Sequence, residues 1–224
     1  MDVKISIDLM PNRKKIVRIF GEKFIENNKN LEIYIDGNKK TINTDYKIEN
    51  DEINMITLEF KYNNFSDISH MFDDCKDFED IDISWPDISE IININYMFKN
   101  CKNLKNIKGL SNWNTENIKS MSGLFYGCSS LEYINDISEW DTSNLIEIDK
   151  LFYGCSSVEY IADISKWNTE NITSINELFY GCSLLQLLPD ISEWNTSNLI
   201  KIDNLFYGCS KLKFIPDISK WNTH

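Results

Sequence analysis

From about residue 65 onward, the apolar residues of the chain recur with a period of 27. Aligned on the Phe before each Cys, the sequence divides into six units, 65–85, 91–113, 118–140, 145–167, 172–194 and 199–221. Every Cys and every Trp of the protein belongs to this series, with intervals of 26 and then 27 residues for Cys and of 28 and then 27 residues for Trp. A fixed period of this length indicates a repeat architecture, in which each unit buries its apolar face against its neighbours.

The first apolar stripe of each unit has the spacing of a short helix. In the fourth unit this stripe consists of Leu145, Ile148, Leu151, Phe152 and Cys155. The polar residues 142–144 precede it and are natural N-caps, and Gly154 suits a left-handed C-terminal cap. The pattern predicts a helix of about three turns over 145–155 and its counterparts in the other units.

A pair of apolar residues separated by two variable ones follows each Cys, as in Val158 and Ile161. This spacing predicts one short strand per coil, at 131–134, 158–161, 185–188 and 212–215. Parallel strands would stack at about 4.8 Å, whereas packed helices need about 8–10 Å. The mismatch predicts an arc. The expected fold is therefore an α/β solenoid with short parallel strands on the concave side and short helices outside.

The repeated strings LFYGCSS, DISEW and WNTEN resemble the BspA-type leucine-rich-repeat family over about residues 65–224. Five of the six units match closely. The first unit departs, because Pro86 follows Trp85 and because Phe72 leads into Asp73-Asp74 where later units have Tyr-Gly. The resemblance implies a leucine-rich-repeat solenoid. Members of that family are often cell-surface proteins and adhesins of host-associated microbes.

Residues 1–62 lack the 27-residue period and form a predicted N-terminal β capping region, with the six-unit solenoid over 63–224. Asp36-Gly37 between two alternating runs is a hairpin signal. A separate ligand-binding β domain is the alternative. The alternating apolar residues that predict strands are Val3, Ile5, Ile7 and Leu9, then Leu31, Ile33 and Ile35, then Ile56, Leu58, Phe60 and Tyr62.

Charge is distributed unevenly between these two parts. Residues 1–62 carry 11 basic and 11 acidic residues, so the whole net charge of −12 lies on the repeats. An acidic surface disfavours nucleic acid and anionic lipid as partners. The start of the chain lacks the apolar core of an export signal, and no run of about 20 apolar residues predicts a membrane insertion. The expected location is cytoplasmic, or the cell surface if an export segment is missing.

The candidate chemical sites each have a structural interpretation that we favour. One Cys per coil predicts buried, reduced thiols rather than disulfides or zinc ligands, so no metal site and no cofactor are expected. The Trp series is interpreted as core, and the repeated Asp and Asn residues as turn and cap residues. A calcium-binding Asp ladder is the alternative for Asp136, Asp163, Asp190 and Asp217. With two His residues and no Gly-rich phosphate loop, an enzyme is not expected.

One column of variable residues predicts a binding surface. In the strand interpretation, the residue before the second apolar position points away from the core. Four coils then present a contiguous apolar surface, the ridge, formed by Tyr133, Tyr160, Leu187 and Phe214. Surfaces of this kind mark interaction sites. The alternative is that an extra residue shifts the strand and buries these side chains. The first two coils have Asp80 and Asn106 in this column.

The leading functional hypothesis is a non-enzymatic interaction scaffold that binds a protein partner along the concave strands. The alternative is a cell-surface adhesin or structural coat protein. The last coil ends three residues after Trp221 with no evident cap, which leaves its strand edge open and predicts possible self-association through the C-terminal coil.

Overall fold

The computed structural model describes residues 2–9, 15–48, 55–61, 66–84, 88–134 and 137–222, with the backbone alone for 2–9 and 61. Within these residues, the N-terminal part contains six strands and one short helix, and the repeats contain four strands and one 3-10 helix. In chain order they are β1 Asp2–Leu9, β2 Ile16–Arg18, α1 Glu22–Asn27, β3 Glu32–Ile35, β4 Asn38–Lys40, β5 Asp45–Lys47, β6 Met55–Lys61, β7 Phe78–Asp82, β8 Asn106–Lys108, the 3-10 helix Leu110–Asn112, β9 Tyr133–Ile134 and β10 Tyr160–Ile161.

Four of the N-terminal strands form a sheet that continues into the repeats, and β2 pairs separately with β5. Its order is β4-β3-β6-β1-β7-β8, and β1 is antiparallel to both β6 and β7. The predicted hairpin is confirmed, since β3 and β4 pair across Asp36 and Gly37, whose φ angles are 48° and 74°. Two left-handed residues are what the right-handed twist of a two-residue hairpin requires. Tyr62 and the side chains of β1 lie outside the described residues.

The contact between the two parts is both hydrogen-bonded and aromatic. Ile7 of β1 lies opposite Ile81 of β7, which belongs to the first repeat, and β7 then pairs in parallel with β8 of the second. Phe20 stacks on Phe72 of the first repeat with ring centroids 6.5 Å apart. Both rings are fully buried. The N-terminal sheet and the first repeat therefore share one apolar core.

Successive repeats lie in parallel register, one residue of each paired with its equivalent in the next. Isolated parallel bridges join a single column of residues through all six repeats: Asp67, Asn93, Ser120, Glu147, Ser174 and Lys201. The intervals along this column are 26 or 27 residues. Pairing of equivalent residues explains why the sequence period is so strict, since one inserted residue would displace every later contact in its coil.

The predicted helix over 145–155 is wrong: this segment is a series of consecutive turns. Leu151 N–H donates to the Ile148 carbonyl three residues earlier, and Cys155 N–H donates to that of Phe152. Of the amides between them, Tyr153 N–H donates to the Lys150 carbonyl. Phe152 N–H and Gly154 N–H instead reach the Leu178 and Tyr180 carbonyls of the next repeat, at 3.0 and 2.7 Å. Chained turns bring apolar side chains inward every three or four residues, as a helix does, so periodicity alone does not separate the two.

Left-handed residues recur at two places in each chain of turns. Gly154 has φ of 70°, and Lys150, four residues before it, has φ of 59°. The glycine position also explains the departure of the first unit. Asp74 and Asn100 stand where later repeats have Gly, with φ of 68° and 58°. Asp and Asn are the residues that best tolerate this conformation after Gly.

Two of the predicted strands are present but shorter than expected. The difference in spacing that predicted a curved stack is not found in the described coils. Tyr133–Ile134 pairs in parallel with Tyr160–Ile161, whereas 185–188 and 212–215 are not strands. One backbone bond per coil continues the row there, such as Lys213 N–H to the Gln186 carbonyl. Because the turn side is also joined by backbone hydrogen bonds, both sides stack at a similar spacing. The mismatch expected to make the strand side concave is therefore absent from these described coils.

The residues that never vary form ladders through the core. Phe rings stack from Phe72 to Phe206 with centroids 5.5–6.1 Å apart. The five described Trp residues are buried, which confirms their interpretation as core, and Trp85 lies outside the described residues. Each of these indoles donates to a carbonyl of the preceding coil, as Trp167 does to Ile137 at 3.0 Å.

The Cys and Asn columns also bind the preceding coil. Five of the six Cys residues are buried, with Cys209 partly exposed. The Cys155 thiol donates to the Phe125 carbonyl at 3.1 Å, and burial raises the pKa of the Cys128 thiol to about 12. The Asn column was interpreted as turn residues, but Asn144 donates its amide to the Glu116 carbonyl at 2.8 Å. Its role is to join coils. Among the described residues, no helix is long and apolar enough to cross a membrane.

Candidate partner-binding surface

The four side chains of the ridge are all exposed in adjacent coils. Tyr160 lies directly opposite Tyr133 in the parallel pair of β10 and β9. Their exposed fractions are 46% and 49%, while those of Leu187 and Phe214 are 46% and 74%. Large apolar side chains at equivalent positions of four stacked coils form one continuous apolar surface.

The exposure of the ridge follows from the shape of the chain at this point. The next residue along each strand is buried, with Ile134 only 2% and Ile161 only 9% exposed. Glu132, on the other side of Tyr133, is exposed as well. In this coil, two outward residues between two buried ones mark a corner rather than a simple alternating strand, whereas in the last coil Ile215 after Phe214 is itself 55% exposed. The alternative that a shift of phase buries the ridge does not describe these coils.

The ridge deepens into an open depression between the last two coils. This depression has a volume of about 310 Å³ and combines apolar side chains with carboxylates. Its lining consists of Leu187, Leu188, Asp190, Ser192, Phe214, Ile215, Pro216 and Asp217. At the other end of the column, Asp80 pairs with Asn106 across β7 and β8. The column is therefore polar in the first two coils and apolar in the last four.

Acidic residues lie beside the ridge, on one side in the last three coils and on the other side in the first two of its four coils. Glu132 and Glu159 precede the two tyrosines, and Asp163, Asp190 and Asp217 follow the ridge residue of their coil by three positions. The described salt bridges of this region join other residues, such as Lys220 with Glu193, although the charges of Lys166 and Lys220 also act on Asp163 and Asp217. The Asp residues confirm their predicted turn role, since the Ser192 amide donates to Asp190 at 3.0 Å. Asp136 lies outside the described residues.

These hydrogen bonds keep the Asp residues ionised. The hydroxyl and backbone N–H of Ser165 lower the pKa of Asp163, and those of Ser219 lower the pKa of Asp217. The backbone N–H and hydroxyl of Ser192 do the same for Asp190. Hydrogen bonds donated to a carboxylate favour its charged form. The border of the ridge therefore carries fixed negative charge at neutral pH.

Sequence reasoning missed a second exposed column, on a different side of the coil. Ile92, Lys119, Ile146, Thr173 and Ile200 succeed one another at 27-residue intervals, and Ile146 is 44% exposed. The last four of them border an open groove of about 540 Å³ whose other wall is formed by Asn144, Asn171 and Asn198. The signal was an isoleucine in every second coil, next to the apolar stripe that had been assigned to a helix.

A stack of tyrosines covers the turn side. Tyr126, Tyr153, Tyr180 and Tyr207 have ring centroids 4.4–4.9 Å apart and nearly parallel planes. Because the ring faces contact one another, mainly their edges meet solvent. This arrangement serves coil stacking, and the recurring Tyr before each Gly was the signal for it.

The junction of the N-terminal part and the repeats contains a small polar cluster. His70 Nδ1 lies 2.8 Å from Asp73 Oδ2, and Lys99 Nζ lies 3.2 Å from the same oxygen. His70 also stacks on Tyr96, with ring centroids 5.2 Å apart. In the described part of the chain, no three His, Cys, Asp or Glu side chains are grouped so that they could hold a metal ion.

A family model matches the repeats. Its description is "Mycoplasma protein of unknown function, DUF285", and it matches residues 66–182 and again 158–224. The chain belongs to this family. Comparisons with curated proteins and with solved structures found no match. The matched residues contain all four members of the ridge and exclude strands β1 to β6.

Proposed function

We propose that this protein is a non-enzymatic interaction scaffold that binds a protein partner along the ridge. The observation that carries the proposal is the exposure of Tyr133, Tyr160, Leu187 and Phe214 in four adjacent coils. The constant residues of the repeat are used in packing and in bonds between coils. The ridge residues take part in the stack through their backbone, as Tyr160 does opposite Tyr133, while their side chains remain about half or more exposed. Aromatic side chains on an exposed apolar surface are the usual anchors of protein interfaces.

We infer a leucine-rich-repeat solenoid of the BspA type as the frame that holds this surface, with the N-terminal sheet as its cap. Parallel bridges between equivalent residues of all six repeats support a continuous stack. The pairing of β1 with β7 supports the cap, because it covers the first repeat with a hydrogen-bonded strand. A stack of repeats needs such protection of its end.

The test is an affinity capture that compares the proteins bound by the intact protein with those bound by two variants. The side chains replaced in the two variants are about equally exposed. Tyr160→Ser removes a ridge side chain, and Ile146→Ser removes one of similar exposure from the second column. A partner of the ridge should be lost from the Tyr160→Ser variant and retained by the Ile146→Ser variant. Retention of every partner by both Tyr160→Ser and a Leu187→Ser variant would contradict the proposal.

A surface adhesin or coat protein is the second candidate function. The strings LFYGCSS and DISEW, which resemble the BspA type, favour it. Digestion of intact cells by an added protease distinguishes the two locations. Cleavage of this protein under conditions that spare a cytoplasmic marker would favour the surface role, and full protection would refute it.

A further inference from the structure

The charge around the ridge indicates what kind of partner fits it. Five carboxylates lie in the columns next to the ridge in the last four coils: Glu132, Glu159, Asp163, Asp190 and Asp217. In the last two coils the Glu column holds Gln186 and Lys213 instead, and the Nζ of Lys213 donates to Gln186 at 3.1 Å. One coil before Glu132 it holds Lys105, which forms an ion pair with Glu79 at 2.6 Å. The column beyond the Asp residues contains Glu139, Lys166, Glu193 and Lys220, which together add no net charge. The surface is therefore an apolar line with Asp residues along one side in the last three coils and with Glu132 and Glu159 along the other side in the first two of its four coils.

The spacing along the ridge indicates the partner's secondary structure. Paired strands lie about 4.8 Å apart, so the ridge presents one apolar side chain about every 4.8 Å. An α-helix places a side chain on the same face once per turn, that is, about every 5.4 Å along its axis. An extended strand returns to the same side only every second residue, about 6.6–6.8 Å. Over four coils the helical repeat stays closer in register with the ridge.

We propose that the ridge binds a basic amphipathic α-helix, with its apolar stripe on Tyr133, Tyr160, Leu187 and Phe214 and Lys or Arg residues on both flanks of the stripe facing the acidic borders. This inference rests on the proposed function, since it names the class of partner for the same surface. A helix of about three to four turns spans the four coils. Its basic flanks meet Glu132 and Glu159 on one side and the Asp column on the other.

Asn at the Asp positions removes the charge and preserves the turn. The repeat itself demonstrates this, because Asn168 and Asn195 accept the same type of hydrogen bond from an amide two residues on, at 3.0 and 3.1 Å. The test variant is Asp163→Asn with Asp190→Asn and Asp217→Asn. The matched control is Glu116→Gln with Glu147→Gln and Glu170→Gln, which removes three exposed charges from the other side of the coil.

The probe is a synthetic 14-residue helical peptide with a Leu stripe and Lys at its other positions, and the comparison peptide has Glu in place of Lys. Titration calorimetry should detect binding of the Lys peptide and none of the Glu peptide. The triple Asp variant should bind the Lys peptide about tenfold more weakly at low salt, and the Glu control should bind it as the wild type does. Added salt should narrow the difference, because screening weakens exposed charge pairs.

Three results would overturn the inference. One is binding of the Glu peptide as tight as that of the Lys peptide. Another is an equal loss of binding in the triple Asp variant and in the Glu control, which would assign the effect to net charge alone. The third is unchanged Lys-peptide binding by Tyr160→Ser.

Failure of this inference and failure of the proposed function have different signatures. If the native partner is lost from Tyr160→Ser but retained in full by the triple Asp variant, the ridge is the binding surface and the basic helix is wrong. If the native partner is retained by Tyr160→Ser and Leu187→Ser, the proposed function itself fails.

Discussion

The Phe ladder makes a prediction about how stability is distributed along the repeats. Phe152 is fully buried between Phe125 and Phe179, with ring centroids 5.9 and 5.5 Å away. Phe206 has one described ring neighbour, Phe179 at 5.8 Å, and is only partly buried. A change to Ala removes the same side chain at both positions, once inside the stack and once in its last coil. The difference between the two costs measures what packing between coils contributes.

The expected cost of Phe152→Ala is about 3–5 kcal/mol, which includes the lost burial and the cavity that remains. Phe206→Ala should cost less by at least about 1 kcal/mol, because one aromatic pair is worth about 0.5–1.5 kcal/mol and part of the ring is already in water. Urea unfolding followed by circular dichroism gives both values if the slope of the transition is unchanged. Equal costs, or a larger cost at Phe206, would show that stacking between coils does not stabilise the protein.

Three further predictions concern the ridge, the thiols and the Asp turns. Ile161→Ala should lower the free energy of unfolding by about 2–5 kcal/mol, whereas Tyr160→Ser should lower it much less. Thermal unfolding of the two variants measures the difference. Equal shifts of the melting temperature would mean that the ridge side chains belong to the core. Thiol titration under denaturing, non-reducing conditions should find close to six free thiols. In the native protein Cys209 should react first, because it is the most exposed of the six. Equal reactivity of all six thiols would contradict the burial of the Cys column. The folded pKa of Asp163 and of Asp190 lies below the ordinary 3.8. Their contribution to stability is therefore present above about pH 4 and is lost as the pH falls further. The triple Asp→Asn variant lacks this contribution, so its stability should fall less steeply with pH in acid.

The sequence predicted best what its own period repeats. Trp167 and Cys155 recur in every unit, so a packing role could be assigned from spacing alone, and both are buried. The hairpin at Asp36-Gly37 was predictable because few residue pairs adopt two left-handed conformations in succession. The exposure of Tyr160 followed from its place beside a buried apolar position.

The backbone of the turn segment was not predictable from the same pattern. A helix and a chain of turns both place apolar side chains at intervals of three and four, as at Ile148, Leu151 and Phe152. What separates them is the destination of the amides, since Gly154 N–H reaches the Tyr180 carbonyl of the next coil at 2.7 Å. A contact between residues 26 positions apart leaves no mark within a window of one helix. The second column at Ile146 was missed because the assigned helix left no reason to ask which other residues faced outward.

Columns that are constant through the repeats serve stacking, whereas the variable ridge column points to a function outside the stack. A repeated polar residue such as Asn144 or Thr142 is already used, since the Thr142 hydroxyl donates to the Asn168 carbonyl of the next coil at 3.1 Å. Selection for stacking alone explains it. The ridge column changes from Asp80 and Asn106 to aromatic and aliphatic residues while the backbone around it continues the same parallel pairing. Since stacking permits either kind of side chain there, the change to an apolar column in the last four coils calls for a reason outside the stack, and a bound partner supplies one.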